Sequence, residues 1–277
     1  MSIFGLALAF GAATPVQAAS LVASTGNFNA DGGGRIYEID TVAQTVTLIG
    51  DTGLDRLAGV DFDNGGTLFG VSGGSGGPAN LVTINPNTGA IVNNLGVIAG
   101  IQGVTSLAFD AAGTLYASGW DGSLGRLLTL DPVTGNILTN IATSGSGNDL
   151  VVGLDFDSGG TLFGSRGNAD GHTEDLVTIN TANGVQTSIG AATNVISDIT
   201  FALDGTLFGG SSSIGNGDLF TIDPLTGAKT FLFNSGINIS GLTSVPPVPL
   251  PAAAWMGITM LAGLGVTQII RRRRLAA

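Results

Sequence analysis

The sequence predicts an all-β protein, a five-bladed β-propeller closed by a C-terminal strand and followed by a C-terminal transmembrane helix. Three observations predict it. A strand-like segment recurs at Ser20-Leu21-Val22-Ala23, Thr67-Leu68-Phe69-Gly70, Thr114-Leu115-Tyr116-Ala117, Thr161-Leu162-Phe163-Gly164 and Thr206-Leu207-Phe208-Gly209, at offsets of 47, 47, 47 and 45 residues. A regular repeat of this length marks stacked units that cannot bury their apolar faces alone. Tight-turn residues recur at fixed places within each unit, and the strand missing from the first unit returns at the far end of the repeats.

Composition agrees. The 277 residues include 46 glycines, and charged residues make up only 10%. Glycine supplies the left-handed positions that many short strands need at their turns. Absence of cysteine excludes a disulfide framework and cysteine metal sites. All 20 acidic residues precede the tail, against five basic ones, so the repeat region carries −15. Such a surface repels nucleic acid and anionic lipid, and suits cations or neutral glycans.

The second unit shows the plan. Strand-like segments cover residues 57–63, 67–71, 80–85 and 90–95, separated by turns such as Asp63-Asn64-Gly65-Gly66 and Pro86-Asn87-Thr88-Gly89. The first turn recurs at 110–113, 157–160 and 203–205, the second as Asp131-Pro132-Val133-Thr134-Gly135 and Asp223-Pro224-Leu225-Thr226-Gly227. Proline presets φ early in a turn and glycine accepts the left-handed position, so both read as hairpin connections. Four antiparallel strands every 40–50 residues make a propeller blade. The first unit begins at its second strand (20–23, then 35–40 and 45–49), and residues 239–245 align with the innermost strand at 151–157. That last strand is expected to complete the first blade and leave the ring without an open junction.

The Phe-Asp, Gly-Thr-Leu-Phe/Tyr and Asp-Pro-x-Thr-Gly signatures resemble the blades of NHL- and YVTN-type propellers over residues 20–245. That resemblance implies the fold and transfers no activity.

Domain boundaries follow. Residues 1–18 resemble a secretory signal peptide, with an apolar run at 3–13 and a small-residue cleavage site, Val16-Gln17-Ala18. Residues 19–245 form the propeller, 246–251 a proline-rich linker, 252–270 an apolar run, and 271–277 a basic tail. Nineteen helical residues span roughly 28 Å, close to the hydrocarbon thickness. Arg271, Arg272, Arg273 and Arg274 would stay cytoplasmic, with the repeats on the other side.

Val248, Pro249, Leu250, Pro251 and Ala252, then the apolar run and the arginine cluster, resemble the PEP-CTERM sorting signal in its VPLPA variant, with Leu250 where the commoner motif has Glu. The resemblance covers about 30 residues at the C-terminus. It implies an exosortase-type processing enzyme as partner, a membrane-anchored intermediate held through residues 252–270, and delivery to the cell surface or an extracellular polysaccharide matrix.

Candidate binding residues fall in two places. Loops 24–34, 72–79, 118–125, 165–174 and 211–217 should share one rim and vary most, as a binding surface on a rigid scaffold does. Among them Trp120 and Asp121 could stack on a sugar ring and accept its hydroxyls, although loop packing of the indole reads equally well. At the axis the innermost strands carry Gly59, Ser106, Gly153, Asp198 and Gly241 at aligned positions. Asp198, with Asp61 and Asp155 on the same strand face, could line an axial polar site or serve structural hydrogen bonding.

Catalytic signatures are poor: one histidine, no nucleophile elbow and no phosphate-binding loop. Asp170, His172 and Glu174 form a weak metal pattern, and Asn27 to Asp31 lack the full spacing of a calcium loop, so no cofactor is expected, calcium being the one possible ion. The leading expectation is a non-enzymatic binding or structural module. A glycosidase using Asp61, Asp155 and Asp198 is the rival, and a calcium-dependent adhesive module a third reading.

Overall fold

The computed structural model describes residues 20–26, 33–73, 79–143, 150–167, 174–192, 196–212 and 217–246. The chain separates into two units, Met1–Val245 and Pro246–Ala277. The second lies almost wholly outside the described residues, and with it the sorting motif, the apolar run and the arginine cluster. Residues 1–18 lie outside them too. Among the described residues no helix is long and apolar enough to cross a membrane.

Among the described residues, twenty strands form five four-stranded antiparallel sheets. The first three are β1 (Ser20–Thr25), β2 (Arg35–Asp40) and β3 (Thr45–Asp51). The second blade follows as β4 (Leu57–Phe62), β5 (Leu68–Ser72), β6 (Asn80–Ile84) and β7 (Ile91–Val97). The third is β8 (Gly103–Phe109), β9 (Leu115–Trp120), β10 (Gly125–Leu130) and β11 (Ile137–Ala142). The fourth is β12 (Leu150–Phe156), β13 (Leu162–Gly167), β14 (Glu174–Ile179) and β15 (Gln186–Ala192). The fifth is β16 (Asp198–Phe201), β17 (Leu207–Gly210), β18 (Asp218–Ile222) and β19 (Lys229–Asn234).

The final strand, β20 (Ile239–Ser244), pairs antiparallel with β1, so the first blade runs β20-β1-β2-β3. The expected circular closure is what the chain adopts. The Val245 N–H reaches the Ser20 carbonyl at 2.9 Å, placing the two ends of the ring side by side. Strand ends shift slightly from the sequence reading: the threonine of each Gly-Thr-Leu-Phe/Tyr signature stays in the turn, and β3 and β7 run two residues further.

Sequence chemistry explains the turns. Between the first two strands of a blade, Asp63 Oδ1 accepts the N–H groups of Gly65 and Thr67, and Gly66 adopts φ 81°. Asp157 repeats the arrangement with Gly159, Thr161 and Gly160. Between the last two strands, Asp131 accepts from the Val133 N–H and the Thr134 hydroxyl, and Asp223 from Leu225 and Thr226. These are side-chain-capped turns with a left-handed glycine at the exit.

The core is divided among the junctions between blades. One cluster packs Val71, Leu81, Leu107 and Leu128 between the second and third blades, and Leu21, Leu219, Phe233 and Leu242 seal the fifth against the first. The repeated aromatics are part of this packing. Phe69 meets Phe109, Tyr116 meets Phe156 and Phe163 meets Phe201, each pair edge-on at centroid distances of 5.1–5.2 Å. The Gly-Thr-Leu-Phe/Tyr signature of one blade thus grips the Phe at the end of the next blade's innermost strand.

Outer strands are held by a different contact. A Cβ on Gly50 of β3 would lie 1.9 Å from the Thr88 carbonyl oxygen in the second blade's turn, and one on Gly190 of β15 would lie 2.1 Å from Thr226 O. In these places the next blade's turn leans on an outer strand and limits its exposed edge. Gly190→Ala is expected to cost about 1–3 kcal/mol, because a backbone carbonyl must move. A urea titration checks this, and an unchanged midpoint would refute the contact's importance.

Candidate functional site

The innermost strands β20, β4, β8, β12 and β16 surround the axis. Each pairs with one neighbour inside its own blade, so the N–H groups on its inner edge have no ladder partner. The axial side chains meet this demand.

Asp61, on β4, accepts the N–H of Phe109 on β8 at 2.7 Å through Oδ2, while Oδ1 takes the Thr243 hydroxyl of β20 at 2.7 Å and the N–H of Phe62 at 2.8 Å. Asp155, on β12, does the same two junctions further on: Oδ2 accepts from Phe201 N–H of β16 at 2.6 Å and Oδ1 from Phe156 N–H at 2.7 Å. Thr200 occupies the aligned position on β16 and accepts the Ser244 N–H at 3.0 Å. On the third blade Ala108 stands there and supplies no acceptor.

A second tier lies two residues earlier. Asp198 is 1% exposed, and its Oδ2 accepts the Leu242 N–H at 2.9 Å. Its Oδ1 takes the Ser106 hydroxyl at 2.9 Å and the N–H of Ile199 at 3.1 Å. Ser106 Oγ in turn accepts the Leu154 N–H at 3.1 Å. Glycines fill the other places in this tier because the strands touch there. A Cβ on Gly59 would lie 2.6 Å from Ser106 Cα, and one on Gly241 2.9 Å from Gly59 Cα.

Asp198 is buried and Asp61 and Asp155 are half-buried, and loss of solvation dominates their acidity. Asp61 is raised to about 6 by burial, against the opposing hydrogen bonds from Thr243, Phe109 and Phe62. Asp155 is raised to about 8 by burial and then by the nearby charge of Asp61. Asp198 is raised well above the usual carboxylate range, again by burial first.

The structure therefore brings Asp61, Asp155 and Asp198 to the axis, and each carboxyl oxygen named above already accepts a hydrogen bond. Sequence reasoning missed Ser106 as a relay and Thr200 and Thr243 as partners. Their signal was available: Thr200 and Thr243 align with Asp61 and Asp155.

Trp120 and Asp121 lie apart from the axis, at the end of β9, in the one predicted rim loop whose residues are all described. Trp120 is half-buried, and its carbonyl accepts the Gln102 N–H at 2.8 Å. Asp121 Oδ1 accepts the N–H groups of Ser123 and Leu124 at 2.9 and 2.8 Å, and Oδ2 pairs with the Arg126 guanidinium. The Leu124 N–H, Arg126 and the Ser123 N–H hold this carboxyl down at about 2. Its oxygens brace their own loop, leaving the indole as the better contact surface. Asp170, His172 and the 27–31 segment lie outside the described residues, and among the described residues no cluster of three or more His, Cys, Asp or Glu side chains is placed to hold a metal ion.

Comparison by sequence finds no matching family profile and no matching curated protein. Comparison by structure finds propellers. The chain is similar to a protein described as a candidate 6-phosphogluconolactonase from Bacteroides fragilis, with TM-score 0.51 and 9% identity over 85% of this chain and 100% of that one. It is similar to TolB from Acinetobacter baumannii, with TM-score 0.53 and 9% identity over 83% of this chain and 67% of that one. A gluconolactonase from Xanthomonas campestris gives TM-score 0.50 and 13% identity over 81% and 79%. At these identities the likeness establishes the propeller fold alone.

Proposed function

We propose that this chain is an exported propeller, sorted to the cell surface or extracellular matrix, that acts there as a non-enzymatic binding or structural module. The observation that carries the reading is the use of the axial acids. Asp61, Asp155 and Asp198, the best catalytic candidates in the sequence, accept N–H and O–H groups across blade junctions, and the strands around them touch at Gly59 and Gly241. A general acid or nucleophile must reach a substrate atom at hydrogen-bond distance. These carboxyls instead reach their own backbone. The sorting part of the proposal rests on the sequence of residues 1–18 and 246–277.

Binding is assigned to the rim that carries the variable loops, with Trp120 as the contact for a neutral sugar of an extracellular polysaccharide. Trp120→Ala is expected to weaken retention on such a glycan about 5- to 30-fold, the loss of one aromatic stacking contact worth about 1–2 kcal/mol. Glycan-array binding equal to wild type would remove Trp120 from the site. Fractionation of cells expressing the full chain tests the sorting. Expected is propeller outside the inner membrane and lacking the arginine tail, and an intact chain confined to that membrane would refute sorting.

The hydrolase reading keeps one specific footing, the fold likeness to a gluconolactonase and to a candidate 6-phosphogluconolactonase. Sugar lactones and extracellular polysaccharide are therefore the substrates to assay. Expected is no turnover above the uncatalysed rate. Turnover abolished by Asp198→Asn in a folded variant would replace the binding module with an enzyme.

A further inference from the structure

Exposed apolar side chains follow a pattern around the propeller. Among the described residues, every large one except Leu203 lies on an outer strand or on the turn leading into one. The outer strands are also nearly uncharged. β3, β7, β11, β15 and β19 hold two charged residues between them, Asp51 and Lys229, although the repeat region carries −15. Each ends its sheet and pairs with one strand of its own blade. Such an edge normally carries charge, proline or a covering segment, because its free N–H and C=O groups invite another strand.

At β3 and β15 the next blade's turn supplies cover by leaning on Gly50 and Gly190. β19 cannot be covered so closely. Its residue in the same register is Phe233, which stands opposite Leu219 as Gly50 stands opposite Ile36 and Gly190 opposite Leu176. A Cβ already occupies the place that a carbonyl would have to approach. The first blade's turn, next in the ring, also has Gln44 at φ 55° where other turns have an exit glycine such as Gly89 or Gly227. The surface beside this edge is apolar. Leu225, on the turn into β19, is 85% exposed, and Phe231 is 57% exposed and meets Phe220 edge-on at 6.0 Å. Lys229 Nζ lies over the same Phe220 ring, 5.5 Å from its centroid, so the strand's one charge is held on its own blade.

We propose that β19 is a self-association edge: two copies of this chain pair their fifth blades, β19 against β19, antiparallel about a two-fold axis. Charge favours a second copy here. Two chains of −15 repel where their acidic turns approach, as at Asp63, Asp131, Asp157 and Asp223, and the repulsion is least at the outer strands. Strand edges are also self-complementary, since an identical strand run antiparallel offers a carbonyl to each free N–H and the reverse. The same two-fold gathers Leu225 and Phe231 of both copies into one contact and removes them from water. One six-residue edge is small beside the roughly 1,200–2,000 Å² of a stable interface, so pairing should be weak and rise with concentration. This surface is independent of Trp120, at the end of β9.

The chain has no cysteine, so a single introduced thiol reports the contact. In the full-length chain held in detergent micelles, Thr230→Cys treated with a short bis-maleimide should give about tenfold or more crosslinked dimer than Leu203→Cys. Leu203 is a fair control because it is 64% exposed on the turn between β16 and β17, away from the outer strands. Both variants carry the same residues 246–277, so equal yields would mean that the tail holds the copies together and would overturn the pairing. Adding Leu225→Lys to Thr230→Cys sets like charges across the two-fold and should lower the yield about tenfold. Phe231→Lys should do the same; should its lost packing on Phe220 unfold the blade, Leu225→Lys decides. Added salt should raise the yield by screening the acidic repulsion, and a yield that falls with salt would overturn the neutral edge. No dimer from Thr230→Cys, or a yield unmoved by Leu225→Lys, would overturn it too.

Discussion

Removing β20 is expected to abolish cooperative folding. Ile239 is 0% and Leu242 2% exposed, and deleting a buried aliphatic side chain of this kind costs about 2–5 kcal/mol. The deletion also removes the hydrogen bonds that β20 gives Asp198, Thr200 and Asp61, each worth about 0.5–3 kcal/mol. These losses together match or exceed the ~5–15 kcal/mol that holds a domain folded. A chain lacking residues 239–245 should show a broad, shallow thermal profile by circular dichroism. A sharp transition within a few degrees of wild type would mean that blades two to five form the stable unit and the first blade is an appendage.

The second large effect is expected from a single methyl group at the axis. In Gly153→Ala the new Cβ would sit 2.7 Å from Asp198 Cα, 2.7 Å from Ser165 Oγ and 2.8 Å from Asp198 Oδ1. Relief requires β12 and β16 to separate, stretching the bond from Asp155 to Phe201 N–H. A cost of about 2–4 kcal/mol is expected. For a domain of this size that lowers Tm by roughly 5–15 °C. Gly66→Ala is the informative control. Gly66 has φ 81° and open space around its Cβ position, so its penalty is backbone strain of about 1 kcal/mol alone. Equal effects at the two positions would show that glycine is kept at Gly153 for some reason other than contact.

Much of the fold was legible in the chain. The 47-residue period, the Asp-containing turns and the displaced strand at Ile239 all depend on neighbours along the sequence, where turn chemistry and two-residue alternation operate. Blade number and circular closure followed by counting. The likeness of Gly59, Gly153 and Gly241 also anticipated close contact at the axis. Less legible was the role of the acids. Asp61, Asp155 and Asp198 stood out as three carboxylates on one strand face, a pattern shared by a catalytic site and a hydrogen-bonding scaffold. Choosing between them requires knowing what faces each oxygen, and Phe109, Phe201 and Leu242 lie 48, 46 and 44 residues away.

Trp120 and Asp121 show the same limit on a smaller scale. Their adjacency suggested a sugar platform, yet Asp121 turns into its own loop to meet Leu124, Ser123 and Arg126. A carboxylate near an arginine and free N–H groups gains more from those partners than from water, and sequence spacing alone does not reveal the competition.

The sequence by itself determined the repeat, the turn types, the number of blades and the strand that closes the ring. Each of these follows from local conformational preference and the alternation of apolar residues, which a chain carries in its order. Only the tertiary structure decided what the axial side chains do. Five parallel inner edges present N–H groups that a sheet cannot pair, and that demand exists only once the blades are assembled. There Asp61 and Asp198 hold β20, and Asp155 holds β16.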